Sequence, residues 1–301
     1  MKPIYQTVGI VGTGAMGRGI AQIAAQAGST VKLYDMQPDA SQKAKAELAA
    51  QWDKLVTKNR LDTATADAHK NRVLTVHTLF ELADCDLVVE AVIERLDVKQ
   101  ALFAELENVV SSKAILVSNT SSLSVTAIAA KLKTPQRFAG YHFFNPVPLM
   151  KVVEVIAGLK TDAAVCQQLS AYAKQMGHTA VLAQDTPGFI VNHAGRGYGT
   201  EALRIVSEGI ADFATIDRIL RDQAGFKLGP FELMDLTALD VSHPVMESVY
   251  HQYYEEARYR PSVITAQRLA GGMLGRKTGE GFYKYEGGVV QVTPEAPAPA
   301  M

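Results

Sequence analysis

"GIVGTGAMGRGIAQIAAQAG" (residues 9–28) decides the fold of this 301-residue chain. It joins an apolar run, "TVGIV" (Thr7 to Val11), to a helical stretch rich in small residues, and sets Gly12, Gly14 and Gly17 at GxGxxG spacing across the junction. A second apolar run, "TVKLYD", follows and ends in Asp35. Strand, glycine loop, helix and a second strand ending in an acid make up the βαβ unit that binds a dinucleotide. Gly12 permits the tight turn, Gly14 lets the backbone approach a pyrophosphate, and Gly17 lets helix and strand pack closely. The helix start at Ala15 and Met16 offers unpaired N–H groups to the phosphates. Asp35 has the spacing expected of the carboxylate that binds the adenosine ribose; its charge repels a 2'-phosphate, and "DMQPD" supplies no Arg to receive one. The expected cofactor is NAD, held by Gly12, Gly14, Ala15, Met16, Gly17 and Asp35. The alternative is a tight turn with no ligand.

Outward from this unit, apolar strands alternate with helical stretches, as in a parallel sheet covered on both faces. Further candidate strands are "DLVVEAV" (Asp86 to Val92), "AILVSN" (Ala114 to Asn119) and "FAGYHFF" (Phe138 to Phe144). "VVEVI" around Glu154 and "TAVLAQD" ending at Asp185 extend the sheet at one edge. Residues 37–72 are rich in Ala, Lys, Glu and Asp and read as long exposed helices or a helical hairpin, more than a crossover needs. At "DTPGFIVN" Pro187 and Gly188 punctuate the chain, and Phe189 to Met273 reads as helix and turn. The expected class is α/β, a Rossmann-type doubly wound sheet over residues 1–187 followed by a smaller all-helical domain over 188–286. "GRKTGEGFYKY" (Gly275 to Tyr285) reads as a loop with a short aromatic end. Residues 287–301 read as a Pro/Ala-rich tail or linker, which suggests a module cut from a longer parent chain with a further C-terminal domain.

Composition narrows the partners. A formal net charge of -1 draws neither nucleic acid nor an anionic membrane, so any anionic ligand must be met locally. No run approaches the roughly 20 apolar residues of a membrane span, and the N-terminus carries no apolar signal core. Cys85 and Cys166 form no CxxC pair, which fits a reducing cytoplasm. His69, His77, His178, His243 and His251 fall in no HxxH or HExxH pattern, and no metal is expected.

"GYHFFNPVPLMKVVEVI" (residues 140–156) holds a histidine and, twelve residues on, a lone glutamate in an otherwise apolar run. His142 falls at the carboxyl end of its strand, the edge where open α/β sheets place ligands. An imidazole there can take the proton of an alcohol as hydride leaves carbon, or return it to a ketone. Glu154, costly among "KVV" and "VI" unless hydrogen-bonded, is the natural partner to fix the tautomer and stabilise imidazolium. A satisfied core histidine is the other reading.

Together "SNTSSLSVTAIA", "GYHFFNPVPLMKVVEVI", "DTPGFIVN", "GPFELMDLTALD" and "GRKTGEGFYKY" resemble the short-chain L-3-hydroxyacyl-CoA dehydrogenases, from about Val8 to Tyr285. The resemblance implies oxidation of (S)-3-hydroxyacyl-CoA to 3-ketoacyl-CoA with NAD, His142 as general base, Glu154 as its partner, Ser121 on the substrate oxygen and Asn192 completing the site. It also implies that Glu94, Lys99, Asn119, Ser121, Asn145 and Lys277 serve the nicotinamide side of the cofactor, that Lys58 binds coenzyme A, and that the chain is a homodimer. Structural alternatives stay open: a surface helix pair for Glu94 and Lys99, a helix N-cap for Ser121, a pre-proline turn for Asn145, an exposed helical face for Lys58. Gln51 departs from the small hydroxyl residue of some members. After Asn192, "HAGRGYG" departs from bulkier residues; Gly195, Gly197 and Gly199 suggest a closely packed helix, and His193 lacks a glutamate partner. A sugar-acid (gulonate-type) dehydrogenase on the same scaffold and a non-catalytic, crystallin-like NAD-binding protein are the competing functions.

Overall fold

A computed structural model describes residues 2–291 and divides into two compact units between Ile190 and Val191. The first unit is an eight-stranded sheet of order β3-β2-β1-β4-β5-β6-β7-β8. Its strands are β1 (Thr7–Val11), β2 (Thr30–Tyr34), β3 (Val73–Thr75), β4 (Leu87–Glu90), β5 (Ile115–Ser118), β6 (Phe138–Phe143), β7 (Val152–Ala157) and β8 (Thr179–Gln184). The helices are α1 (Ala15–Gln26), α2 (Ala40–Thr57), α3 (Thr63–Asn71), α4 (Leu96–Val109), α5 (Val125–Ala129) and α6 (Ala163–Gln175). Every residue of β4, β5 and β6 is buried, as expected of central strands covered on both faces. Two hydrophobic clusters result, one around Ile10, Leu33, Trp52 and Tyr141, the other around Phe103, Leu116 and Phe138. Strand order reverses beside β1, which pairs with β2 on one side and β4 on the other, so the glycine loop lies at the switch point.

Two details differ from the sequence reading and a third agrees with it. The sheet is not wholly parallel: β7 returns antiparallel to β6, and β8 then pairs parallel to β7. Strand β3 escapes the sequence because only three residues pair, with β2, and Leu74 points to solvent. Residues 37–72 do form a helical hairpin, α2 and α3, turned by Asn59 at φ 54°, with α3 started by its N-cap Asp62, whose side chain accepts a hydrogen bond from Thr65 N at 2.8 Å.

The second unit holds α7 (Val191–Ser207), α8 (Phe213–Asp222), α9 (Pro230–Thr237), α10 (Leu239–Gln252) and α11 (Val263–Ala270) around a core of Leu203, Phe231, Leu239 and Phe282. Two buried carboxylates tie its loops. Asp217 accepts from Phe231 N and Glu232 N at 2.9 Å each, and Asp235 accepts from Phe282 N and Tyr283 N at 2.9 Å each. The stretch read as a loop ends in a hairpin, β9 (Lys284–Glu286) against β10 (Val289–Gln291). Residues 287–291 therefore belong to this hairpin and not to a tail, the turn being made by Gly287 and Gly288 at positive φ; residues 292–301 of the expected tail lie outside the described residues.

Candidate functional site

The glycine loop follows β1 at the carboxyl edge of the sheet. Gly12 sits at φ +93°, and a Cβ there would meet Ala91 O at 2.6 Å; one on Gly17 would fall 1.8 Å from Gly12 O. Neither position admits a side chain. A Cβ on Gly14 would meet nothing within 4 Å, so the loop is packed on its protein side and open above Gly14. Ala15 and Met16 begin α1 with N–H groups that no intrahelical carbonyl can reach. Just past β2, the Asp35 carboxylate accepts from Thr13 N at 2.7 Å, Thr13 Oγ1 at 2.9 Å and Gln37 N at 2.9 Å, which braces the loop from beside it. Open space, free N–H groups and an adjacent carboxylate fit a dinucleotide with an unsubstituted ribose.

A second cluster lies beyond β4 and β5. Glu94 Oε1 accepts from Thr120 Oγ1 at 2.6 Å, Ser121 N at 2.8 Å and Ser122 N at 3.1 Å, and thereby shapes the loop after β5. Lys99 is 1% exposed, and its ammonium contacts Glu90 at 2.5 Å and Glu94 at 3.2 Å. A surface pair is thus ruled out, and the charge of Lys99 is taken up inside the protein, where it holds Glu94. Glu90 also accepts from Ser118 Oγ and Val92 N, each at 2.6 Å. Burial pushes the Glu94 carboxyl up, but the Lys99 ammonium and the bonds from Thr120 and Ser121 outweigh it and hold the group below its ordinary value. Ser121 donates its backbone N–H to Glu94; the N-cap of α5 is Ser124, which accepts from Ala127 N at 3.1 Å. Asp185 braces the same turn through Ser124 Oγ, Val125 N and Thr126 N at 2.7–2.9 Å.

His142 is the penultimate residue of β6, directly opposite Glu154 of β7 in the antiparallel register. Its Nδ1 lies 2.6 Å from Glu154 Oε2, with the two residues 5% and 1% exposed. Glu154 Oε1 accepts from Ile190 N at 2.8 Å, which fixes the carboxylate from its other side. The imidazole is flanked by Phe144 and Phe189, with ring centroids at 4.5 and 5.8 Å. A carboxylate on Nδ1 sets the tautomer that leaves Nε2 as the proton acceptor. Asn119 Oδ1 accepts from Phe143 N at 2.9 Å and locks the ends of β5 and β6 together beside it. Asn145 follows at an exposed turn, before a cis bond to Pro146.

Lys58 caps the C-terminus of α2 and is exposed, and its ammonium makes no ion pair among the described residues. In the second unit, Asn192 is the second residue of α7, and the ammonium of Lys277 lies 2.5 Å from Asp240. His193 is held between Tyr253 and Tyr259, whose hydroxyls lie 2.9 Å from Nδ1 and Nε2 respectively. Within this chain a Cβ on Gly195, Gly197 or Gly199 would meet nothing within 4 Å. Gly195 and Gly197 line an apolar pocket of about 630 Å³ with Tyr198, Phe226 and Leu233. Glu90 was missed, although the argument that singled out Glu154, a lone carboxylate in an apolar strand, applies equally to "LVVE". Among the described residues no group of three His, Cys, Asp or Glu could hold a metal ion, and no helix is long and apolar enough to cross a membrane.

A glycine loop of dinucleotide-binding form at the switch point and a histidine–carboxylate pair share the carboxyl edge of the sheet. Residues 7–186 match the NAD binding domain of 3-hydroxyacyl-CoA dehydrogenase, and residues 188–285 match the C-terminal domain of the same family. The 3-hydroxyadipyl-CoA dehydrogenase of Escherichia coli strain K12 is 45% identical over 93% of this chain, which spans only 59% of that protein's length. The human mitochondrial hydroxyacyl-coenzyme A dehydrogenase is 39% identical, with 95% of this chain and 93% of that protein covered. The crystal structure of (S)-3-hydroxybutyryl-CoA dehydrogenase from Ralstonia eutropha superposes with a TM-score of 0.89 at 37% identity, covering 94% and 99% of the two chains. The chain belongs to the 3-hydroxyacyl-CoA dehydrogenase family.

Proposed function

We propose that this protein oxidises (S)-3-hydroxyacyl-CoA thioesters reversibly to 3-ketoacyl-CoA with NAD. The observation that carries the reading is the buried His142–Glu154 pair, 2.6 Å apart at the carboxyl edge of β6. NAD, when bound over Gly14 and the start of α1 with its ribose at Asp35, supplies the hydride acceptor. His142 Nε2 removes the C3 hydroxyl proton as the C3–H bond breaks, and Glu154 stabilises the imidazolium that forms. Ser121 and Asn192 hold the substrate oxygens, and Phe144 and Phe189 keep water from the imidazole. Glu94, positioned by Lys99, and Asn119, Asn145 and Lys277 serve the nicotinamide end, while Lys58 meets coenzyme A phosphates. The protein acts as a homodimer in a reducing cytoplasm. The substrate names of its relatives, 3-hydroxybutyryl-CoA and 3-hydroxyadipyl-CoA, define the acyl range to be tried.

The test is NADH consumption with acetoacetyl-CoA, run beside His142→Ala with NADH binding measured by titration. Loss of a general base is expected to lower kcat by about 10²- to 10⁴-fold with cofactor affinity retained. An unmutated protein that binds NADH and leaves the thioester untouched overturns the substrate class and turns attention to sugar acids.

A further inference from the structure

Arg196 lies on α7 four residues after Asn192, so the two side chains rise from one helix face about 6 Å apart along the axis. Two other arginines of this unit have acids: Arg221 contacts Glu232 at 2.5 Å, and Arg204 reaches Glu201 at 3.7 Å; Arg268, whose Nε is also buried and unpartnered, stacks its guanidinium 4.4 Å over the Phe282 ring. Arg196 pairs with no carboxylate among the described residues. Its Nε is buried without a hydrogen-bond partner, and Nη1 reaches only Ser242 O, at 3.5 Å, the outer limit of such a bond. Burial pushes its guanidinium below the usual range, as expected of a cation taken from water without a counter-ion. The adjacent Ser242 hydroxyl is also buried and unpartnered. The acid nearest Ser242 in sequence, Asp240, is engaged by Lys277. A buried guanidinium is costly unless an anion meets it, and its planar fork suits a carboxylate.

We propose that Arg196 is a specificity residue that receives a carboxylate at the far end of the acyl chain, so that the preferred substrates are dicarboxylic 3-hydroxyacyl-CoA thioesters. This rests on the function proposed above, in which Asn192 meets the substrate beside the reacting carbon. In a six-carbon diacid the distal carboxylate lies three bonds beyond C3, a separation that one helical turn between Asn192 and Arg196 accommodates. A neutral acyl chain of equal length leaves the guanidinium unanswered and gains nothing from it.

The experiment compares NAD reduction with (S)-3-hydroxyadipyl-CoA and (S)-3-hydroxyhexanoyl-CoA, equal in acyl length. The unmutated enzyme is expected to favour the diacid in kcat/KM by roughly 10- to 100-fold, the range of a hydrogen-bonded charge. Arg196→Met should erase that preference by raising KM for the diacid, with much less effect on the hexanoyl thioester, and Arg196→Lys should retain part of it. Equal losses on both substrates, or an unmutated enzyme that does not prefer the diacid while oxidising the hexanoyl thioester, overturn this assignment alone. Failure to oxidise either thioester with NAD bound overturns the proposed function and this assignment with it. Should Arg196→Met not fold, the preference of the unmutated enzyme and its weakening in Arg196→Lys decide.

Discussion

Single side chains at this sheet edge act through charge that the interior cannot otherwise tolerate. Lys99 would be an expensive buried ammonium on its own; with Glu90 at 2.5 Å and Glu94 at 3.2 Å it becomes the fixed point on which the loop from Thr120 to Ser122 hangs. Glu94 has its carboxyl held below the ordinary value of 4.5. A carboxylate lowered in the folded state contributes stability that is fully present above its unfolded pKa and is lost as pH falls through the folded one. The unmutated protein should therefore lose melting temperature as pH drops below about 4.5, and Glu94→Gln should flatten part of that decline while lowering stability at neutral pH. Glu90 remains to pair Lys99 in this variant, so no bare ammonium is created. Coincident acid slopes for the two proteins would show that Glu94 gives no such support.

At the scale of elements, the glycine loop and the β6–β7 hairpin do the positioning, and they were unequally legible. The βαβ unit could be read because its demands are local: Gly17 must lack a Cβ because Gly12 O lies 1.8 Å from where one would sit. Gly17→Ala is accordingly expected to push α1 off the loop, weaken NADH binding by roughly tenfold or more and lower stability by about 1–3 kcal/mol, measured by NADH titration and thermal melting. Unchanged NADH affinity would mean that the phosphates do not depend on this helix. His142 and Glu154 were legible as residue types misplaced in apolar strands. Their opposition across β6 and β7 was not, because an antiparallel return depends on pairing geometry that no single strand's pattern encodes. The same limit hid β3, a three-residue edge, and the β9–β10 hairpin, whose strands are also three residues each. The depth of Lys99 was hidden for another reason: a lysine on an amphipathic helix reads as exposed until the carboxylates beneath it are located.

For the molecule as a whole, the charge balance constrains how a polyanionic thioester can be bound. A formal net charge of -1 provides no long-range attraction, so under the proposed function coenzyme A phosphates must be met by individual cations that are not already neutralised. On the α2–α3 hairpin Lys70 is engaged by Asp53 at 2.5 Å and Asp67 at 3.1 Å, whereas Lys54, Lys58 and Arg60 are exposed and make no ion pair among the described residues. Lys58, at the end of α2, also receives the favourable interaction of a cation with a helix C-terminus, which argues that its position alone could be structural. Kinetics separate the two roles. If Lys58 meets a phosphate, Lys58→Ala should raise KM for acetoacetyl-CoA by roughly two- to fivefold, the worth of an exposed ion pair, with kcat unchanged. The difference should narrow as salt rises past about 0.15 M, where exposed charges are screened within about 8 Å. An acetoacetyl thioester of pantetheine, which lacks the phosphates, should show the same KM with both proteins; an equal rise on that substrate would assign Lys58 to the helix and leave the coenzyme A phosphates to other side chains.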